Sequence, residues 1–182
     1  AQDLFGEALA VTRKNIVGDV ARAEALRALG AKLPLGGHDL FRAVLDMARG
    51  MTDDRWRVAI LDAISHRLPA DAPELTSEAL AMVANIRNEG RRAELLSTVA
   101  ERLPADACDL LGEALAEVRK FTMDDCRLST LMAIAARLPA TKPDLISEAL
   151  AVARELRDVD YRTQALISVA VRLPGDESKP GL

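Results

Sequence analysis

The chain predicts an all-α fold, an α-α superhelix (solenoid) of five antiparallel helical hairpins with a 35-residue period. Three observations carry this. First, Leu-Pro recurs every 35 residues, at Leu33-Pro34, Leu68-Pro69, Leu103-Pro104, Leu138-Pro139 and Leu173-Pro174, each time behind a base. A fixed period of this length is the mark of a repeat architecture. Second, apolar residues recur at steps of three and four, as in Leu75, Ala79, Val83 and Ile86, and no stretch alternates with the period of a strand. Third, 49% of the chain is hydrophobic but only 3% is aromatic. Ala and Leu therefore supply the apolar surface, which suits close helix–helix packing.

The Leu-Pro ruler divides the chain into units 1–34, 35–69, 70–104, 105–139 and 140–174, with a polar, breaker-rich tail at 175–182 expected to be disordered. Each first helix opens on an acid: Asp3, Asp39, Glu74, Asp109 and Asp144. In unit three Asp71-Ala72-Pro73-Glu74 predicts Asp71 as N-cap with proline in the first turn. Asp106 and Thr141 repeat that grammar, and Gly36 to Asp39 is a weaker copy. Glu7, Glu78, Glu113 and Glu148 follow in the same helix, with Arg42 as the exception. Short polar links, such as Asn88-Glu89-Gly90 and Met123-Asp124-Asp125, then supply turn formers and N-cap acids for the second helix. That helix carries an Arg in every unit, Arg22, Arg57, Arg92, Arg127 and Arg162, with a leucine four residues later. It is expected to end at Leu-Pro, because proline disfavours helical backbone in the residue before it and donates no hydrogen bond. The base beside that pair, at Lys32, Arg67, Arg102, Arg137 and Arg172, is expected to complete the helix C-terminus near the acid that opens the next unit.

The second helix of unit one, Asp19 to Gly30, resembles the second helix of a HEAT repeat, with an acid before it, an early Arg, then Ala and Leu at helical spacing. The hairpin length and terminal proline are more similar to tetratricopeptide repeats, and Glu78-Ala79-Leu80-Ala81 resembles their Ala-rich first helix, although the Trp and Tyr of that signature are not filled. The length also matches pentatricopeptide repeats, but their Tyr-rich first helix and basic groove are absent. The whole unit is similar to helical repeats of large bacterial signalling and NTPase-linked proteins. These resemblances cover residues 1–174 and imply a non-enzymatic, cytoplasmic, protein-binding scaffold.

Charge narrows the function classes. The net charge is −4, so bulk electrostatics do not favour nucleic acid. Cys108 and Cys126 have no ligand spacing with His38 or His66, and they read as two thiols in a reducing compartment rather than a disulfide. No apolar run is long enough to cross a membrane. No cofactor, metal or catalytic constellation emerges: Ser65 and His66 are adjacent and point apart on a helix, and Gly36-Gly37 is too short for a phosphate loop.

Two readings of the Arg column compete: a ladder that grips an acidic partner, or bracing between neighbouring hairpins through link acids such as Asp124 or Glu89. Bracing is favoured, because a residue present in every unit serves what every unit must do. Recognition is expected instead where the columns vary. Just before the Arg, the column reads Ala21, Trp56, Arg91, Cys126, Tyr161, and so holds the single Trp and the single Tyr. A second reads Arg27, Asp62, Ser97, Met132, Ile167. Trp56, Arg91, Tyr161, Arg27 and Asp62 are the candidate partner-binding residues. Arg13, Arg49, Arg119 and Arg154 form a first-helix row, broken at Ala84, that reads as a solvated face.

The function expected is binding of a protein or peptide. A nucleic-acid-binding solenoid is the first alternative; a small-molecule effector site near Trp56, Met47, Met51 or Met82 is the other. The chain opens on Ala1, and its end units lack a polar capping helix. Flanking repeats, or self-association through the ends, are therefore expected.

Overall fold

The computed structural model describes residues 2–16, 18–34, 36–104 and 106–173; the tail at 175–182 lies outside them. Among the described residues there are ten α-helices and no strand. The first helices of the units are α1 (Gln2–Asn15), α3 (His38–Arg49), α5 (Pro73–Ala84), α7 (Cys108–Val118) and α9 (Pro143–Arg154). The second helices are α2 (Asp19–Gly30), α4 (Asp54–Ser65), α6 (Glu89–Ala100), α8 (Asp124–Ala135) and α10 (Val159–Ala170). Each helix packs on its hairpin partner and on its counterpart in the next unit, giving two stacked rows.

One apolar core runs between the rows from Leu9 to Val169. The stripe expected in unit three is its local section, with Leu75, Ala79, Val83, Ile86, Leu96, Val99, Ala100 and Leu103 all buried. Small residues let the second helices approach closely. A Cβ added at Gly30 would lie 2.6 Å from Ile64 Cγ2, and the equivalent positions in the next units hold Ser65, Ala100 and Ala135. Ser65 is fully buried because its hydroxyl donates back to Leu61 O at 2.5 Å.

The helix ends differ from expectation in two ways. The second helices stop three residues before the leucine, not at it. The last residues taper through tight bonds instead: Arg67 N donates to Ile64 O at 2.9 Å and Leu68 N to Ser65 O at 3.4 Å. Bonding to the third residue back lets the final N–H groups find carbonyls before proline forces extended backbone. The first helices are not capped by Asp71, Asp106 or Thr141. Ala72, Ala107 and Lys142 hold the N-cap positions without a side-chain bond. The proline carbonyl decides this. Ala72 N donates to Pro69 O, Ala107 N to Pro104 O and Lys142 N to Pro139 O, closing a four-residue turn that sets the helix start one residue later. Three of the second helices use side-chain caps, at Asp53, Asn88 and Asp158, whereas Gly18 and Met123 start α2 and α8 without one.

Candidate functional site: a groove between α4 and α6

The site is bounded by polar ladders that fix how neighbouring units sit. The recurrent Arg forms the first. Arg22 donates to Ile16 O at 2.9 Å, Arg92 to Ile86 O at 3.0 Å, Arg127 to Phe121 O at 2.7 Å and Arg162 to Leu156 O at 3.1 Å. In each case the carbonyl lies six residues earlier, so the bond locks the link of the same hairpin. Arg57 instead pairs with Asp54. The bracing through link acids such as Asp124 or Glu89 is thus replaced mainly by backbone carbonyls inside the unit.

The link acids form a second ladder, between units. Asp19 accepts from Thr52 Oγ1 at 2.8 Å, and Asp54 from Arg87 N at 3.1 Å. Glu89 accepts from Thr122 N at 2.6 Å and Met123 N at 2.7 Å; Asp124 accepts from Arg157 N at 2.7 Å and Asp158 N at 2.8 Å. These bonds favour the ionised acid. The bond from Asp158 N, followed by that from Arg157 N, holds Asp124 below the ordinary aspartate value although burial opposes it. Asp54 is lowered first by Arg87 N and then by Arg57. Burial pulls Glu89 upward, but the bonds from Met123 and Thr122 outweigh it and leave the group lowered.

The base before Leu-Pro builds a third ladder, and it points backward. Arg67 Nε donates to Leu33 O at 3.1 Å, Arg137 Nε to Leu103 O at 2.8 Å, and Arg102 Nη2 to Leu68 O at 3.4 Å. The expected neighbourhood of the next unit's opening acid is not where these guanidiniums go. The residue before proline has left the helix, so its carbonyl has no helical donor and takes the Arg of the following unit. On the first-helix row Arg49 pairs with Glu78 at 3.4 Å and Arg119 with Glu148 at 3.1 Å. Charge-assisted bonds to buried carbonyls contribute about 1.5–3 kcal/mol each, exposed ion pairs about 0.2–1. The second-helix row is therefore the more firmly tied.

Between α4 and α6 these ladders leave a groove of about 580 Å³. Its floor is apolar: Val58 and Ala59 on one wall, Ile86 and Leu95 on the other. Its rim is charged with both signs. Arg55 pairs with Asp53 at 2.9 Å and Arg91 with Glu94 at 2.7 Å. Asp62 and Arg87 also line it, and among the described residues neither has an ion-pair partner. Two of the five candidate binding residues, Asp62 and Arg91, thus face one depression. Trp56 does not line the groove: it is half-buried against the core, and Arg55, which does line it, stacks 5.1 Å from the Trp56 ring centroid. Tyr161 is 38% exposed on α10, two units beyond α6, and Arg27 is exposed on α2; neither joins the groove.

Other expected features fall elsewhere. Met51 and Met82 are core residues, and the depression that Met82 and Ala81 line is otherwise polar, with Arg49, Arg57, Asn85 and Arg87. A more open hollow of about 790 Å³ crosses the starts of α5, α7 and α9, where Glu74, Asp106 and Asp109 meet Lys142. Cys108 and Cys126 are free thiols; burial, then nearby Asp125, pushes the Cys126 thiol up, which makes it less reactive. His38 Nε2 lies 3.2 Å from Asp71. Among the described residues no group of acids, His and Cys could hold a metal, and no helix is long and apolar enough to cross a membrane.

Two further columns of the sequence mark the ladders around this site. Ile16, Met51, Ile86, Phe121 and Leu156 form an apolar column whose carbonyls serve the Arg in every unit but the second, and Asp19, Asp54, Glu89 and Asp124 form the acid column. Compared with protein-family models, with curated proteins and with solved structures, the chain shows no match to any of them.

Proposed function

We propose that this chain is a non-enzymatic helical-repeat scaffold that binds a peptide or protein segment in the groove between α4 and α6. One observation carries the reading: an apolar floor framed by charges of both signs, two of them from columns that change from unit to unit. An interface needs this chemistry, an apolar centre with a polar rim that sets register. Asp62 and Arg87 lack ion-pair partners among the described residues, so they are free to meet a base and an acid on the ligand. The resemblance to tetratricopeptide-like and HEAT-like repeats of bacterial proteins agrees with a scaffold role and a cytoplasmic setting. A nucleic-acid ligand is disfavoured, since carboxylates line the groove and the net charge is −4.

The test is selection of peptides from a random library on the intact chain, followed by affinity measurement. Selected peptides are expected to bind at micromolar strength or better and to change Trp56 emission, because Arg55 both lines the groove and stacks on the ring. Asp62→Arg with Arg91→Glu is expected to weaken them at least ~10-fold, about 1.4 kcal/mol. Arg27→Glu, remote on α2, should leave them unchanged. Salt-sensitive binding of single-stranded oligonucleotides without peptide binding would reverse the reading.

A further inference from the structure

We propose that a second copy of this chain docks head to tail on the outer face of α10. In every earlier unit one stripe of the second helix faces the next unit, with the spacing of Asp19, Ala23, Leu26, Gly30 and Leu33. The structure shows this facing directly. The Cβ position of Gly30 abuts Ile64, and Thr130 Oγ1 lies 3.3 Å from Ala93 O. The fifth copy of the stripe is Val159, Thr163, Leu166, Ala170 and Leu173. Among the described residues no later unit covers it: Val159 is 61% and Leu173 48% exposed, whereas Leu33, Leu68 and Leu103 are 0% exposed.

The other end of the chain carries the matching half. Leu4 is 70% exposed, but its counterpart Leu75 is 0% exposed, and counterpart Leu145 packs toward the preceding unit, where a Cβ added at Gly112 would lie 3.8 Å from Leu145 Cδ2. Phe5, Ala25 and Leu29 are half-buried where later units bury the same columns. Stacking one chain on the next with the internal 35-residue register sets Ala170 against the second copy's Leu29 and Thr163 against its Ala25. The polar ladders continue as well. Arg154 meets Glu7 of the second copy in the place of Arg119 and Glu148, and its Lys32 reaches the Leu173 carbonyl as Arg67 reaches Leu33. Among the described residues Arg154 and Glu7 have no other ion-pair partner.

One rung is missing. The acid column that clasps the next link, Asp19, Asp54, Glu89 and Asp124, ends in Val159. The contact between copies is therefore weaker than those within a chain, and it is reversible. Because its two faces differ, it is heterologous and grows by addition at either end rather than closing as a dimer.

Sedimentation equilibrium of the 182-residue chain over a concentration series tests this. The mass is expected to rise without a plateau at the dimer. Ala170→Glu and Leu4→Glu alter exposed positions, so circular dichroism should be unchanged. Each variant alone is expected to stay monomeric. Mixed, they retain one good face of each kind and should form a one-to-one pair that grows no further. Val159→Glu restores the missing rung and should tighten association by ~5-fold. A monomeric wild type at every concentration would overturn the proposal. So would self-pairing of either blocked variant alone, or association that ignores Val159→Glu.

Discussion

Arg92 holds two units at once. Its guanidinium donates to Ile86 O at 3.0 Å inside its own hairpin and lies 5.0 Å from the Phe121 ring centroid in the next. Removing it with Arg92→Ala loses a charge-assisted bond to a buried carbonyl and a cation–π contact, so a loss of about 2 kcal/mol is expected in denaturant unfolding. A loss under about 0.5 kcal/mol would place the residue on an ordinary surface. The acid ladder makes a separate prediction in pH. Asp54, Glu89 and Asp124 titrate below their ordinary values when folded, so the unfolded chain binds protons more readily. Their stabilisation is complete above the ordinary carboxylate range near ~4 and is lost as pH falls through the lower folded values. Unfolding followed between neutral and acid pH should show this loss, and Glu89→Gln with Asp124→Asn should flatten it. An acid limb unchanged in that double variant would contradict the ladder. The Arg column was legible in the sequence because a charged residue in every unit stands out. Its partner was not, because every residue offers a carbonyl and only the folded link brings the one at Ile86 or Phe121 within reach.

Helices were legible from the same sequence in a different degree. The spacing of Leu75, Ala79 and Val83 marks both the element and its buried face, since helical period and burial are one geometric fact. Boundaries were less so. Asp71 has the residue type of a cap, but the turn closed on Pro69 O puts Ala72 at that position. A local bond set by proline outranks side-chain preference there. The first-helix row shows what one substitution does between elements. Arg49 pairs with Glu78 and Arg119 with Glu148, but Ala84 leaves Glu113 without the Arg that register would supply, beside a gap of about 270 Å³ between α5 and α7. Ala84→Arg is expected to stabilise the chain by about 0.2–1 kcal/mol, the scale of an exposed pair. A double-mutant cycle with Glu113→Gln should assign that gain to the pair; a gain that survives Glu113→Gln would show the charge acts elsewhere.

The whole molecule is a sum of neighbour contacts around a continuous core, so no unit is stable alone and its two ends resemble its interior joints. That logic separates two kinds of surface. Columns that repeat build the ladders, and columns that vary supply the residues proposed to bind. The division was visible in the sequence, as was the candidacy of Asp62 and Arg91. That these two share a groove, while Trp56 packs against the core and Tyr161 lies two units beyond α6, depends on how α4 sits on α6 and on no local pattern. The most direct test of the account is backbone amide NMR of the intact chain titrated with a peptide selected on it. The largest shifts are predicted at Val58, Ala59, Asp62, Arg91 and Leu95, saturating together with the Trp56 signal. Shifts confined to the α5–α7 side, or a library that yields no saturable peptide, would contradict it.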